Sequence, residues 1–474
     1  MITHKNKMKL LYDRKEGKKF VPNGYPIDEP YYKNIEVYIN NVGKEPVVHD
    51  LLDLDRMLDY EPCFRDEVEE NFFYPVQQFG SIDKLIGKEE PYKEYGFYKN
   101  IHPDTLKKLQ QGKGDILIFA CEESRFFPAD IIFLHKRLKE LKIPLSNVYY
   151  FTGWNWSAKN EYEWVSDLWG ETDTIHIINT KSQMYLKGND LCKFENSKTK
   201  ISKKENQKKP LHSQNTFVTY QDMNERAKRN HQFLCYNRRI RPPRYCMIAM
   251  LHYHKLLEKN LVSFDIVREH NLNCLGNNGK PDVNTMKMIL GRGSEVLQKY
   301  TELYTDIRQM SPRIIDFDVR EVMGPGCEVR ESYSDSYFSI VTETAFNEYT
   351  WCLTEKVFRP FLHFHPFIVQ GSPHTIKRLR EMGFKTFHPH IDESYDREEN
   401  VKVRMEMITK EIIRLCSMTQ DEMHEWYYGM TDILYHNREH IKDYGKKYNT
   451  YLQDCIESSI DWIIPHSGIN YLED

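Results

Sequence analysis

The chain has 474 residues, with 66 Lys and Arg against 70 Asp and Glu and a formal net charge of −4. At roughly 150 residues per domain there is room for two or three domains with buried cores. A content of 40% hydrophobic and 29% charged residues excludes wholesale disorder, and the near-neutral balance excludes a broadly basic nucleic-acid coat.

The ten cysteines are scattered, and no two stand at CxxC spacing. A chain of this size does not need disulfide staples, and structural zinc wants paired ligands, so reduced thiols in the cytoplasm are expected. The charged start, Met1 to Lys9, runs into Leu-Leu-Tyr-Asp-Arg-Lys rather than an apolar segment, which argues against a secretory signal. No apolar run approaches the roughly 18 residues of a membrane span, so no integral membrane contact is expected.

In chain order, the alternation at 35–39 reads as a strand. Residues 50–70 carry nine carboxylates against two arginines and read as a solvated face of helical character. From residue 115 the pattern turns α/β. The continuous apolar run 115–120 reads as a strand buried on both faces. Pro128 opens a helix over 129–141, and strands follow at 147–151 and 174–179, the βαβ rhythm of a parallel sheet. Residues 193–210 hold seven lysines and two glutamates and read as a mobile basic loop.

A second unit begins with a strand at 232–236, an Arg-rich turn, and a helix to about 257. A strand at 262–267 and a long helix over 283–307, interrupted near Gly291 and Gly293, come next. Then follow a strand at 337–341, a helix at 354–364, a strand at 366–369 and a helix at 373–382. Beyond Val401 two or three charged helices close the chain, and there is no fixed short repeat. The expected domains are an N-terminal extension at 1–110, a Rossmann-like domain at 111–225 that completes the first lobe, a second Rossmann-like domain at 230–400, and C-terminal helices at 401–474.

The chemistry concentrates after the strand at 337–341. Its exit carries Glu343, and Leu353-Thr354-Glu355-Lys356 begins the next helix, placing polar groups at the carboxyl end of a parallel sheet, where such sheets bind ligands. Thr354 caps the helix, whose first-turn N–H groups attract phosphate. Glu355 is suited to accept from ribose or sugar hydroxyls, and Lys356 to neutralise a diphosphate. A plain capped helix start reads from the same residues.

The order Glu343, spacer, Leu353-Thr354-Glu355-Lys356, helix, Pro366-Phe367-Ile368-Val369 resembles the donor-binding signature of the α-1,3-fucosyltransferase-like glycosyltransferases, above all their viral and phage-type members. The segment Phe233 to Arg244, with Asn237-Arg238-Arg239 and Arg241-Pro242-Pro243-Arg244, resembles the strand and Arg-rich turn that open their donor domain. The resemblance covers about residues 230 to 415. It departs at Thr344, where the group has Asn, and at Leu353, where it has an aromatic, so fucose itself is not implied.

The resemblance implies a GT-B fold of two Rossmann-like domains facing across a cleft, in the cytoplasm of a host cell if the chain is viral. It implies inverting transfer from a nucleoside-diphosphate sugar, with no permanently bound cofactor. Asn237, Arg239, Arg241, Arg244, Glu343, Thr354, Glu355 and Lys356 would then form the donor site, with Arg244 and Lys356 on the diphosphate. The base would be Glu122, or its neighbour Glu123, directly after the strand at 115–120. The acceptor is a glycan or similar hydroxyl compound, or alternatively DNA carrying a hydroxymethylated pyrimidine. The segments 193–210 (net +5) and 225–244 (net +6) speak for DNA. A non-catalytic nucleotide- or glycan-binding module is the alternative outside enzymes. No metal is expected: Asp316-Phe317-Asp318 lies deep in the second unit, and His363, His365, His388 and His390 lack helical i, i+4 pairing.

Overall fold

The computed structural model describes residues 8–16, 19–21, 23, 60–79, 101–121, 128–152, 162–163, 166–167, 170, 173–179, 217–237, 240–267, 283–315, 330–343, 345–346 and 353–444. The chain forms two compact units, Met1–Met184 with Asn449–Asp474, and Tyr185–Tyr448. Each is α/β and is built on a parallel sheet. The strand read at 35–39 lies outside the described residues.

In the first unit the strands are β1 (Met8–Tyr12), β2 (Arg14–Glu16), β3 (Lys19–Val21), β4 (Tyr60–Phe64), β5 (Phe72–Phe79), β6 (Gly114–Cys121), β7 (Val148–Thr152) and β8 (His176–Asn179). Six form one sheet in the order β4-β1-β5-β6-β7-β8, and β2 and β3 form a small antiparallel ribbon. Every pairing in the large sheet is parallel. Ile116, Leu117 and Ile118 are buried, as a strand covered on both faces requires. Helices α1 (Pro103–Gln110) and α2 (Pro128–Glu140) precede β6 and β7.

One expectation is corrected here, and one strand had no reading. The acidic stretch 50–70 is not one solvated helical face, because Tyr60–Phe64 is a strand paired with β1 and Cys63 is buried. The carboxylates hid it by interrupting the apolar pattern. Likewise β5 gives no clean strand signal, since Pro75 sits inside it and lacks a ladder donor. Its carbonyl accepts from Asn23 Nδ2 at 3.1 Å, and the same amide donates to Leu11 O at 2.8 Å.

The second unit carries β9 (His231–Asn237), β10 (Leu261–Phe264), β11 (Ser336–Thr342) and β12 (Phe367–Gln370), all parallel, in the order β10-β9-β11-β12. Its helices are α3 (Tyr220–Glu225), α4 (Pro242–Tyr253), α5 (Val283–Leu290), α6 (Glu295–Gln298), α7 (Tyr300–Gln309), α8 (Arg330–Ser334), α9 (Glu355–Leu362), α10 (Thr375–Glu381), α11 (Val401–Cys416) and α12 (Gln420–Tyr428). Residues 431–444 are also helical.

The long helix read at 283–307 is α5, α6 and α7 in succession. Gly291 has φ +84°, a left-handed conformation that ends α5, and Ser294 caps α6 through Leu297 N. The strand read at 262–267 stops at Phe264. There Phe264 exchanges backbone hydrogen bonds with Arg313, and Ile266 N turns to Ser311 Oγ at 2.9 Å. Among the described residues no helix is long and apolar enough to cross a membrane.

Strand order decides where this sheet can hold a ligand. From β9 the chain crosses through α4 to β10 on one side, and β11 then lies on the other side of β9. The connections therefore part at β9 and β11, and their carboxyl ends mark the topological switch point, where open parallel sheets hold ligands.

Candidate functional site

Five predicted residues meet at this switch point, and two unpredicted ones join them. Asn237 ends β9 and Thr342 ends β11; both are buried, and Thr342 Oγ1 donates to Asn237 Oδ1 at 2.7 Å. Asn237 Nδ2 donates to Cys235 Sγ at 3.1 Å. Burial pushes that thiol up to about 12, so it stays protonated at neutral pH and is no nucleophile. Arg244, in the first turn of α4, is only 4% exposed and donates from Nη2 to Thr342 O at 3.2 Å. Gln370, opposite Thr342 in the β11–β12 register, ties this edge to α4 by donating to Pro243 O at 2.9 Å.

Glu343 follows Thr342 and is buried. Its Oε1 accepts from Thr354 N at 2.9 Å and its Oε2 from Thr354 Oγ1 at 2.7 Å. The Thr354 hydroxyl in turn accepts from Lys356 N at 3.3 Å and from Lys356 Nζ at 3.0 Å. One donor and two acceptor positions are thereby filled, the full capacity of a hydroxyl. Thr354 is the N-cap of α9, as the sequence predicts. Glu343 is thus placed as the anchor that fixes where α9 begins, and Lys356 is drawn to the same hydroxyl.

The chain beyond Glu343 has a second anchor. Arg404 of α11 donates to Phe346 O, and its guanidinium lies 4.7 Å from the centroid of the Phe346 ring. Nothing in the charged helical pattern beyond Val401 marks this buried arginine. Thr342 and Gln370 end apolar strands, and their polarity there is the signal the sequence carries for them.

The other predicted residues are placed less fully. Arg241 is the half-buried N-cap residue of α4, without a side-chain cap bond, and Pro242 and Pro243 occupy the next two positions. Glu355 is the first residue of α9. Arg239, Glu122, Glu123 and Asp316-Phe317-Asp318 lie outside the described residues.

The histidines resolve differently. His365 is buried between Ser339 Oγ, 2.7 Å from Nδ1, and Ser336 O, 2.6 Å from Nε2. His363 is buried and stacks on Tyr333 at 3.9 Å between centroids. Among the described residues no group of three or more His, Cys, Asp or Glu is arranged to hold a metal. Burial, followed by the charge of Arg229, pushes His365 down to about 3; burial, followed by Arg438, holds His363 well below its ordinary value.

An acid sensitivity follows. Above about pH 6.5 both rings are neutral folded or unfolded, and the full stability is present. As pH falls below that value the unfolded chain binds protons that the folded chain refuses. Stability is then lost at up to about 1.4 kcal/mol per pH unit for each ring, down toward the low folded value. His363→Phe keeps a flat ring against Tyr333 and should reduce this slope, read from urea unfolding between pH 7.5 and 5.5. A slope equal to that of the wild type would show that His363 titrates freely.

Comparison with protein families, curated proteins and solved structures finds no match to the chain.

Proposed function

We propose that the chain is a glycosyltransferase of GT-B type that binds a nucleoside-diphosphate sugar on its second unit. The observation that supports this most is the convergence of Arg244, Lys356 and the Glu343–Thr354 anchor on the β9/β11 switch point. A fork-shaped guanidinium and an ammonium beside a helix N-terminus suit a diphosphate. In the proposed step Glu122 removes the acceptor proton, and the acceptor oxygen forms its bond to the sugar carbon. The bond from that carbon to the diphosphate oxygen breaks, and Arg244 and Lys356 take up the leaving charge. Metal independence and inversion belong to the same proposal.

A glycan or other hydroxyl compound is the better acceptor reading. Among the described cations of 225–244, Arg229 and Arg244 are buried, while Arg226 and Lys228 approach Glu425 and Asp421 of α12 at 3.8 and 2.5 Å. The charge that spoke for a DNA track is to that extent taken up inside the unit.

The test is calorimetric titration with GDP, UDP, ADP and CDP in EDTA, followed by transfer of labelled sugar to glycan and to hydroxymethylcytosine duplex. At least one nucleotide should bind, and Glu122→Ala should abolish transfer while sparing that binding. No binding by any of the four sinks the proposal. Binding without hydrolysis or transfer leaves a nucleotide-binding module, and transfer to the duplex alone replaces the glycan reading with DNA.

A further inference from the structure

The last residue of β12 is out of character with the strand that carries it. Phe367, Ile368 and Val369 are apolar, and Gln370 after them is only 1% exposed. Its Nε2 donates to Pro243 O of α4 at 2.9 Å and approaches Met405 Sδ of α11 at 3.6 Å. Its Oε1 is buried, and among the described residues nothing donates to it. A buried acceptor left unmet costs stability, and methionine would fill the same space without that cost. Packing therefore does not explain a glutamine here; the bond it donates to α4 does.

That bond falls at the start of α4, where backbone donors are missing. Pro242 and Pro243 fill the first two positions and bring no N–H, and Arg241 makes no side-chain cap bond. The next residue is Arg244, whose Nη2 reaches Thr342 O at 3.2 Å. The main chain of Gln370 serves the other cation. Its carbonyl accepts from Glu343 N at 2.9 Å, and Glu343 holds Thr354, to which Lys356 Nζ donates. One residue thus joins the helix that carries Arg244 to the anchor that places Lys356.

We propose that Gln370 is a positioning residue of the donor site. Its side-chain amide sets the first turn of α4, and with it the Arg244 guanidinium, so that Arg244 and Lys356 reach one diphosphate. The inference rests on the donor reading above and deepens it. Gln370 itself is packed against α4 and α11, and it acts through Arg244 rather than on the ligand.

The experiment is a double-mutant cycle on the full chain, using the tightest binder among GDP, UDP, ADP and CDP, titrated by calorimetry in EDTA. Gln370→Met removes the amide and keeps the length of the side chain. It should weaken binding about tenfold, within the range of one impaired charge-assisted hydrogen bond. Its urea midpoint should stay at or above that of the wild type, because an unmet acceptor leaves the core. In an Arg244→Met background the same change should alter affinity by less than about twofold, since the group through which it acts is gone. If Arg244→Met binds too weakly to titrate, salt dependence decides. Gln370→Met should then flatten the fall of affinity with NaCl, as the loss of a cation contact does. An equal loss in both backgrounds, an unchanged salt slope or unchanged affinity in Gln370→Met overturns the inference. So does a Gln370→Met chain that fails to fold or melts at a much lower urea concentration, since the glutamine is then structural. Failure of all four nucleotides to bind the wild type overturns the donor reading instead, and this inference with it.

Discussion

Lys356→Ala should weaken nucleoside-diphosphate binding by about ten- to a hundredfold, the range of one charge-assisted hydrogen bond, while leaving the fold nearly intact. The asymmetry follows from the local geometry. The Lys356 ammonium contributes one of several bonds at Thr354, whose link to Glu343 and whose backbone cap at Lys356 N both survive the substitution. The stability change should therefore stay within about 1 kcal/mol. Combining Lys356→Ala with Arg244→Lys gives a sharper version. Two cations on one diphosphate couple, so the double variant should lose less affinity than the two single losses added together. Unchanged affinity in Lys356→Ala would remove this lysine from the site, and full additivity would place the two cations on separate groups.

The largest stability effect should come from a residue outside the donor-site set. Arg229 is 4% exposed, and its Nη1 donates to Tyr333 O at 3.0 Å and to Ser336 O at 2.5 Å. Its Nη2 donates to Tyr427 OH at 2.7 Å, and the guanidinium lies 4.0 Å from the centroid of that ring. Among the described residues no carboxylate pairs with it. Arg229→Met keeps the apolar stem and removes the head, leaving Tyr333 O and Tyr427 OH without this donor. The expected cost is about 2–4 kcal/mol, read as a shifted urea midpoint at pH 7.5. A loss below about 1 kcal/mol would mean that water replaces the guanidinium. The same variant should also ease the acid sensitivity of His365, because that charge helps to keep the ring neutral.

These residues show what a sequence can and cannot carry. Strands β6, β7 and β9 were legible because burial on both faces demands apolar runs, and theirs are unbroken; in β11 a single serine, Ser339, interrupts an otherwise apolar run. Strands β4 and β5 were not, because carboxylates around the first and Pro75 within the second imitate exposed chain. At the candidate site Glu343, Thr354 and Lys356 were named from their place after a buried strand and Asn237 and Arg244 from the motif resemblance, and the fold gathers them at one switch point. The role of Glu343 was not legible. Its carboxylate holds the N-cap residue of a helix eleven positions later, and that meeting is a three-dimensional fact. Arg229 and Arg404 were invisible for the same reason, since a buried arginine is spelled like a surface one.

The links between the start and end of the second unit bear on how it is made. Arg229 bonds Tyr427, Gln420 Nε2 donates to Arg229 O, Lys228 meets Asp421, and Tyr220 bonds Glu439. These pairs span roughly two hundred residues, so contacts that seat β9 and β11 cannot close until the last helices have left the ribosome. During synthesis, the apolar edges of this sheet stay open until then. A nascent chain stalled near residue 415 should be captured by holdase chaperones, whereas one extended past 444 should not.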